Sequence, residues 1–292
     1  RNLIGWTEYG GKDSFEVLAY VADTNSANLP TSVTADNGVT ITGESTATID
    51  ATVQAMAAAV AASKGSAFAA TAAGLWTDNK VSMNVQAFVD KATYIDIDGG
   101  DLTVSARDDS SITADALAAS VAASLALNSA IAISIGVSVA DNTIDNDVRA
   151  YIRDTASVTT AGGDVSVTAD DTSSVDSFSV AAAVSVALGT STSVAVAGGG
   201  SASTNIILST TNATIENSQV GTAGEKADDV DVLASSDAHI ESEVGAVAAS
   251  IAIGATNGIA VALGIGVARN YIGSNPRGDS PWDYVSAREG VS

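Results

Sequence analysis

The chain has 292 residues, 34 acidic against 12 basic side chains, a net charge of −22, no cysteine and a single histidine, His239. Such a chain has no basic stripe for phosphates, which excludes a general nucleic-acid or anionic-membrane binder; it has no disulfides or thiolate chemistry, and one histidine disfavours a His-based zinc site or a Ser-His-Asp triad. Apolar residues make up 46%, yet 55 of the residues are alanine and aromatics are only 4%, so the core must be built from small side chains in thin, closely spaced layers.

Residues 1–37 open the chain and stand outside the repeat that follows. With Trp6 and Pro30 they read as an N-terminal cap or docking segment. There is no initiator Met and no signal-peptide pattern at Arg1, as expected of a mature fragment or a piece of a longer chain. Four units follow, 38–100, 101–163, 164–228 and 229–273. They open on Gly38-Val39-Thr40-Ile41, Asp101-Leu102-Thr103-Val104, Asp164-Val165-Ser166-Val167 and Asp229-Val230-Asp231-Val232, at spacings of 63, 63 and 65. The two extra residues fall in the loop Gly221 to Asp228, where insertions are tolerated.

Within each unit the period is 2. Val165, Val167 and Ala169 alternate with Ser166 and Thr168, which predicts strand. Ala51–Ala62 is alanine-rich enough for helix, but its equivalents Val180–Leu188 and Ser250–Ile253 alternate as strands, so strand is expected there too. The charge-free stretches Ala116–Ala140 and Val244–Ala268 have the length of transmembrane helices. Their period and the turn residues at Gly65, Asn128, Ser191 and Thr256 favour two strands and a turn instead. Membrane-crossing strands stay open as a reading, since about ten residues suffice to cross.

Asn79, Asn142, Asn205 and Asn270 keep the spacing of the units. If each unit is one coil of a solenoid, these residues stack about 4.8 Å apart and form an amide ladder. A turn asparagine at a strand start is the alternative. The predicted fold is all-β, a parallel β-solenoid (β-helix) of four repeats of about 63 residues with hairpin-like apolar strands. Three shorter turns per unit, or a stack of long antiparallel hairpins, are the alternatives. Residues 274–292, with Pro276, Pro281 and Trp282, read as a C-terminal docking tail.

Few residues suggest chemistry. Asp96, Asp98 and Asp101 surround a glycine turn of the oxygen-rich kind that suits calcium; a solvated acidic turn is the alternative. Asp141, Asp145 and Asp147 are a weaker cluster. Asp108-Asp109 and Asp170-Asp171 are paired carboxylates of the type used in acid/base work, but their near-repetition favours an exposed acidic strand face. His239 is expected to face solvent. Arg277, Gly278 and Asp279, between two prolines, form a candidate cell-binding turn. No catalytic residue is assigned.

The run Gly136-Val137-Ser138-Val139-Ala140-Asp141-Asn142-Thr143-Ile144-Asp145-Asn146-Asp147-Val148-Arg149-Ala150-Tyr151-Ile152, followed by Ala161-Gly162-Gly163-Asp164-Val165-Ser166-Val167-Thr168-Ala169, resembles the long repeats of very large bacterial exoproteins. These are the filamentous-adhesin and haemagglutinin-like proteins, including leukotoxin-type filamentous adhesins, and the likeness covers roughly residues 38–272. It implies a β-helical stalk, exported and displayed on a cell surface. The expectation is a structural or adhesive extracellular protein, not an enzyme, with no cofactor unless calcium. Its partners would be its own copies, head to tail, and a host or neighbouring cell surface. A pore-forming or membrane-inserting exoprotein and a carbohydrate-active β-helix enzyme are the rival readings.

Overall fold

The computed structural model describes residues 1–8, 11–23 and 31–274, and every regular element among them is a strand. The chain opens with β1 (Asn2–Ile4), β2 (Phe15–Ala22) and β3 (Ser32–Ala35). The first unit forms β4 (Val39–Ser63), β5 (Ala67–Val81), β6 (Met83–Asp90) and β7 (Tyr94–Ile97). The second forms β8 (Leu102–Ala126), β9 (Ala130–Ile144), β10 (Asp147–Arg153) and β11 (Val158–Thr159). The third forms β12 (Val165–Gly189), β13 (Thr192–Ile207) and β14 (Thr210–Glu216), and the fourth β15 (Val230–Gly254) and β16 (Asn257–Ile272).

All ladders between these strands are parallel and join equivalent strands of neighbouring units. Val39 pairs with Leu102, Leu102 with Val165 and Val165 with Val230, so the register follows the sequence spacing along the whole length. One unit is therefore one turn of a parallel β-solenoid. Three short turns per unit and stacked antiparallel hairpins are both excluded. The two apolar strands of a unit are likewise not a hairpin. The long strand lies in the sheet β15-β12-β8-β4 and its successor in β1-β5-β9-β13-β16, so the chain makes an arch between two facing sheets.

Residues 1–37 were expected outside the repeat, and the structure corrects this. β1 pairs with the end of β5, β2 with β6 and β3 with β7, so the segment supplies three strands of a preceding, partial coil. Its longer loops hid the spacing: Asn2 pairs with Asn79, 77 residues on rather than 63.

Each coil has two regions. The body is closed by the first half of the long strand and by the two short sheets β14-β10-β6-β2 and β11-β7-β3. It holds the bulky core, including Ile49, Ile95, Leu102, Ile112 and Ile152. The second half of the long strand projects from the body and returns along β5, β9, β13 or β16, forming a two-sheet arm. The buried apolar cluster of the arm consists of eight alanines, among them Ala122, Ala126, Ala130 and Ala195. Left-handed backbone turns the body corner at Lys91, Asp154 and Asn217, each 63 residues apart.

Val167 is fully buried in the middle of a Val/Ile column. Replacing it with Asp introduces a charge without a partner, expected to cost about 3–5 kcal/mol. Chemical denaturation should show that loss, and an unchanged midpoint would refute the inward-facing column.

Candidate functional site

The asparagine column is the most ordered polar feature of the body. Asn2 Nδ2 donates to Asn79 Oδ1 at 2.8 Å, Asn79 to Asn142 at 2.8 Å, Asn142 to Asn205 at 2.8 Å and Asn205 to Asn270 at 2.9 Å. An amide is donor and acceptor at once, so identical side chains can bond indefinitely along a stack. The ladder has polarity: every Nδ2 points to the C-terminal end. The sequence reading found four of its members and missed Asn2.

A second column behaves differently. Asp108 and Asp171 pair across β8 and β12 and are both fully buried, whereas their neighbours Asp109 and Asp170 point outward. The expectation of an exposed acidic face is thus half wrong. Strand parity carried the signal, since Asp108 sits in phase with Leu102, Val104 and Ala106. Ser110 Oγ and Asn146 Nδ2 each donate to Asp108 Oδ2 at 2.6 Å, and Ser173 Oγ donates to Asp171 at 3.1 Å. Asp108 Oδ1 has no hydrogen-bond partner among the described residues. Burial pushes the Asp108 carboxyl up to about 6, and the neighbouring Asp171 and Asp109 charges add to this while the Ser110 hydroxyl opposes it. Burial also raises Asp171, against bonds from Ser173 and Ser209. The column ends on neutral residues, Ser45 and Ser236. The pair sits in the closed interior of the body, where it acts as a hydrogen-bonded polar plug.

On the outer face of β2, β6 and β10, Tyr20, Phe88 and Tyr151 stack at 5.0 and 4.8 Å between ring centroids. Arg153 covers Tyr151 and bonds Asp90 at 3.0 Å. The ring faces are turned toward each other along the stack, so this is a ladder rather than an open sugar platform.

The arm inverts the ordinary distribution of side chains. Small residues and hydroxyls lie between its sheets: Ser120 bonds Ser134 at 2.6 Å, Ser138 bonds the Ala116 carbonyl at 2.9 Å, and Ser185 bonds the Ala132 carbonyl at 2.7 Å. The sheets approach so closely that a Cβ on Gly136 would stand 2.7 Å from the Ala182 carbonyl. The large apolar residues point outward instead: Leu125 is 55% exposed, Ile135 47% and Leu263 60%.

The remaining sequence candidates are dispersed. Asp101 Oδ1 accepts the Asp164 backbone N–H at 3.0 Å, and Asp164 Oδ1 accepts that of Asp229 at 3.0 Å, a carboxylate–amide ladder along the turns. Asp96 accepts the Thr159 hydroxyl at 2.8 Å. Asp96, Asp98 and Asp101 do not converge, and no group of three or more metal-ligating side chains occurs among the described residues. Asp145 and Asp147 are bound separately, to Lys12 and Arg149. His239 is exposed on β15, as expected of a solvent-facing residue. Trp6 lies against its own solenoid, with the Lys80 ammonium 5.1 Å from its ring, so the N-terminal segment covers the body of its own chain. Arg277, Gly278, Asp279 and the tail with Trp282 lie outside the described residues.

Two outcomes test this assignment. Asn142→Ala leaves a donor on Asn79 and an acceptor on Asn205 unpaired in the interior, and urea denaturation should register a loss of about 2–3 kcal/mol. Asp108 titrates higher in the fold than unfolded. Its contribution is therefore complete below the unfolded value, about pH 4, and is lost as pH rises through about 6. Asp108→Asn should match the parent near pH 4 and exceed it near pH 8 by about 3 kcal/mol. Equal stabilities at both pH values would show that the carboxyl is not held protonated.

No protein-family model, no curated protein and no solved structure matches this chain.

Proposed function

We propose that the protein is a structural module of an extracellular surface fibre, built by stacking copies head to tail. The observation that supports this is the complementarity of its two ends. At the N-terminal end β4 has a bare edge over all 25 residues, and β5 is covered only from Asn79 to Val81, by β1. At the C-terminal end β15 (25 residues), β16 (16 residues) and β14 have bare edges. A bare parallel edge is a template for another strand.

The bare strands fit in one register. β15 of one copy lies beside β4 of the next, β16 beside β5, and β14 beside β2. The partial coil β1–β3 then fills the layer that β15 and β16 leave incomplete. The chain presents the same step twice at the joint, Asn2-Leu3-Ile4 and Asn270-Tyr271-Ile272, and either can sit beside Asn79. The contact is heterologous and does not close, so it yields a filament. Repetition of one surface along a fibre suits scaffolding and multivalent adhesion to a neighbouring cell.

The same register puts Glu241 beside Asp50, because both belong to the column of Thr113 and Asp176. That like-charge contact makes assembly salt-dependent. Light scattering and negative-stain imaging should show fibres at a lower protein concentration in about 0.5 M than in about 0.05 M salt, where the screening length differs roughly threefold. Glu241→Lys should remove the salt requirement. A chain that stays monomeric at high concentration in both salts overturns the stacking.

A further inference from the structure

The outer faces of the arm carry no charge over their whole length. On the long strands these faces span 54–62, 117–125, 180–188 and 245–253; on the returning strands, 68–76, 131–139, 194–202 and 259–267. Nearly all of the outward positions are Leu, Ile, Val, Ala or an aromatic, with Gln54 and a few glycines as the departures. Each run is nine residues, about 30 Å of strand. Polar residues bound the band at both ends. At the base stand Asp115 and Asp141 in the second coil and Glu243 and Arg269 in the fourth, on both faces at one level. At the tip the turns carry Lys64, Asn128, Thr190 and Thr256.

We propose that this arm is embedded in a lipid bilayer, with its outer faces against the acyl chains and its acidic base at the headgroups. The depth of the apolar band equals that of a bilayer's hydrocarbon layer, about 30 Å. Both faces are apolar to the same depth, which suits a surrounding solvent; a partner protein docked on one side would need only one such face. The interior suits lipid as well. Apolar burial gives no driving force between surfaces already in hydrocarbon, and there close approach of small residues and internal hydroxyl bonds hold elements together. The Gly136 contact and the Ser120–Ser134 and Ser185–Ala132 bonds are of this kind. Trp76, 63% exposed, marks the base of the band with its Nε1 donating to Asp141 at 3.0 Å, the place of interfacial aromatics. The overall charge of −22 directs the arm to zwitterionic rather than anionic lipid. The proposal rests on the stacking above for the cover of the arm's edge strands, whose bare backbone groups hydrocarbon cannot satisfy.

The probe is a phosphatidylcholine vesicle. The full chain is mixed with vesicles and floated on a density gradient, and fibres are scored separately in vesicle-free buffer. Val121 and Ile135 are 44% and 47% exposed, so Val121→Asp with Ile135→Asp should leave the unfolding midpoint unchanged. The floated fraction should fall at least tenfold, while Thr113→Asp, above the base on the same strand, floats like the parent. The chain has no cysteine, so a dye on Val121→Cys reports alone. Its emission should rise severalfold with vesicles and be quenched by lipids brominated on the acyl chain, and a dye on Thr113→Cys should respond to neither. Flotation without fibres supports the arm proposal and sinks the stacking. Fibres without flotation sink the arm proposal alone. Loss of self-association in the Val121/Ile135 variant, without vesicles, would show that a second copy covers these faces and would likewise overturn it.

Discussion

Neighbouring coils share nearly all of their backbone hydrogen bonds, and a parallel ladder bonds only in register. Every residue of one coil therefore faces its own equivalent in the next, about 4.8 Å away. Each position is judged by whether it tolerates a copy of itself. Valine and isoleucine do, and fill the body. Asparagine does, because its amide both gives and accepts, and the five-member ladder from Asn2 to Asn270 follows. Tyr20, Phe88 and Tyr151 do so as stacked rings.

Carboxylates do not, and the structure shows three ways around the conflict. Asp108 and Asp171 are flanked by serines and pushed up in pKa, so that a proton can remove the repulsion. Asp101 and Asp164 turn each carboxylate onto the next coil's backbone N–H. Asp170 meets Arg107 instead of another acid, at 3.7 Å on the surface, where such a pair contributes little. Most of the remaining acids point outward, and they load the repeat with the charge that opposes further stacking.

The body and the arm are made by the same strand under opposite rules. From Leu102 to Ile112 the long strand turns its bulky residues inward and its hydroxyls and charges outward. Beyond Asp115 alanine and serine go inward and Leu117, Val121 and Leu125 outward. The inversion follows from the space available. The body is enclosed on several sides and has room for isoleucine, whereas the arm is two sheets drawn together until Gly136 touches a carbonyl. The large residues have nowhere to go but out.

The sequence by itself determined the strand content, the length of the coil and the register. All three are written as periodicity: alternation for strands, and 63 residues for one turn. The ladder members and the arch turns could be read for the same reason. Only the tertiary structure decided what depends on direction and neighbours. Alternation does not say which parity faces inward, so the burial of Asp108 went unread although its phase with Leu102 was present. A spacing of 77 concealed Asn2, because loop length is not part of the ladder. Whether two consecutive strands pair with each other or face each other across a core is set by the coils above and below them. That choice made the apolar stretches an arm with exposed apolar faces instead of a buried hairpin.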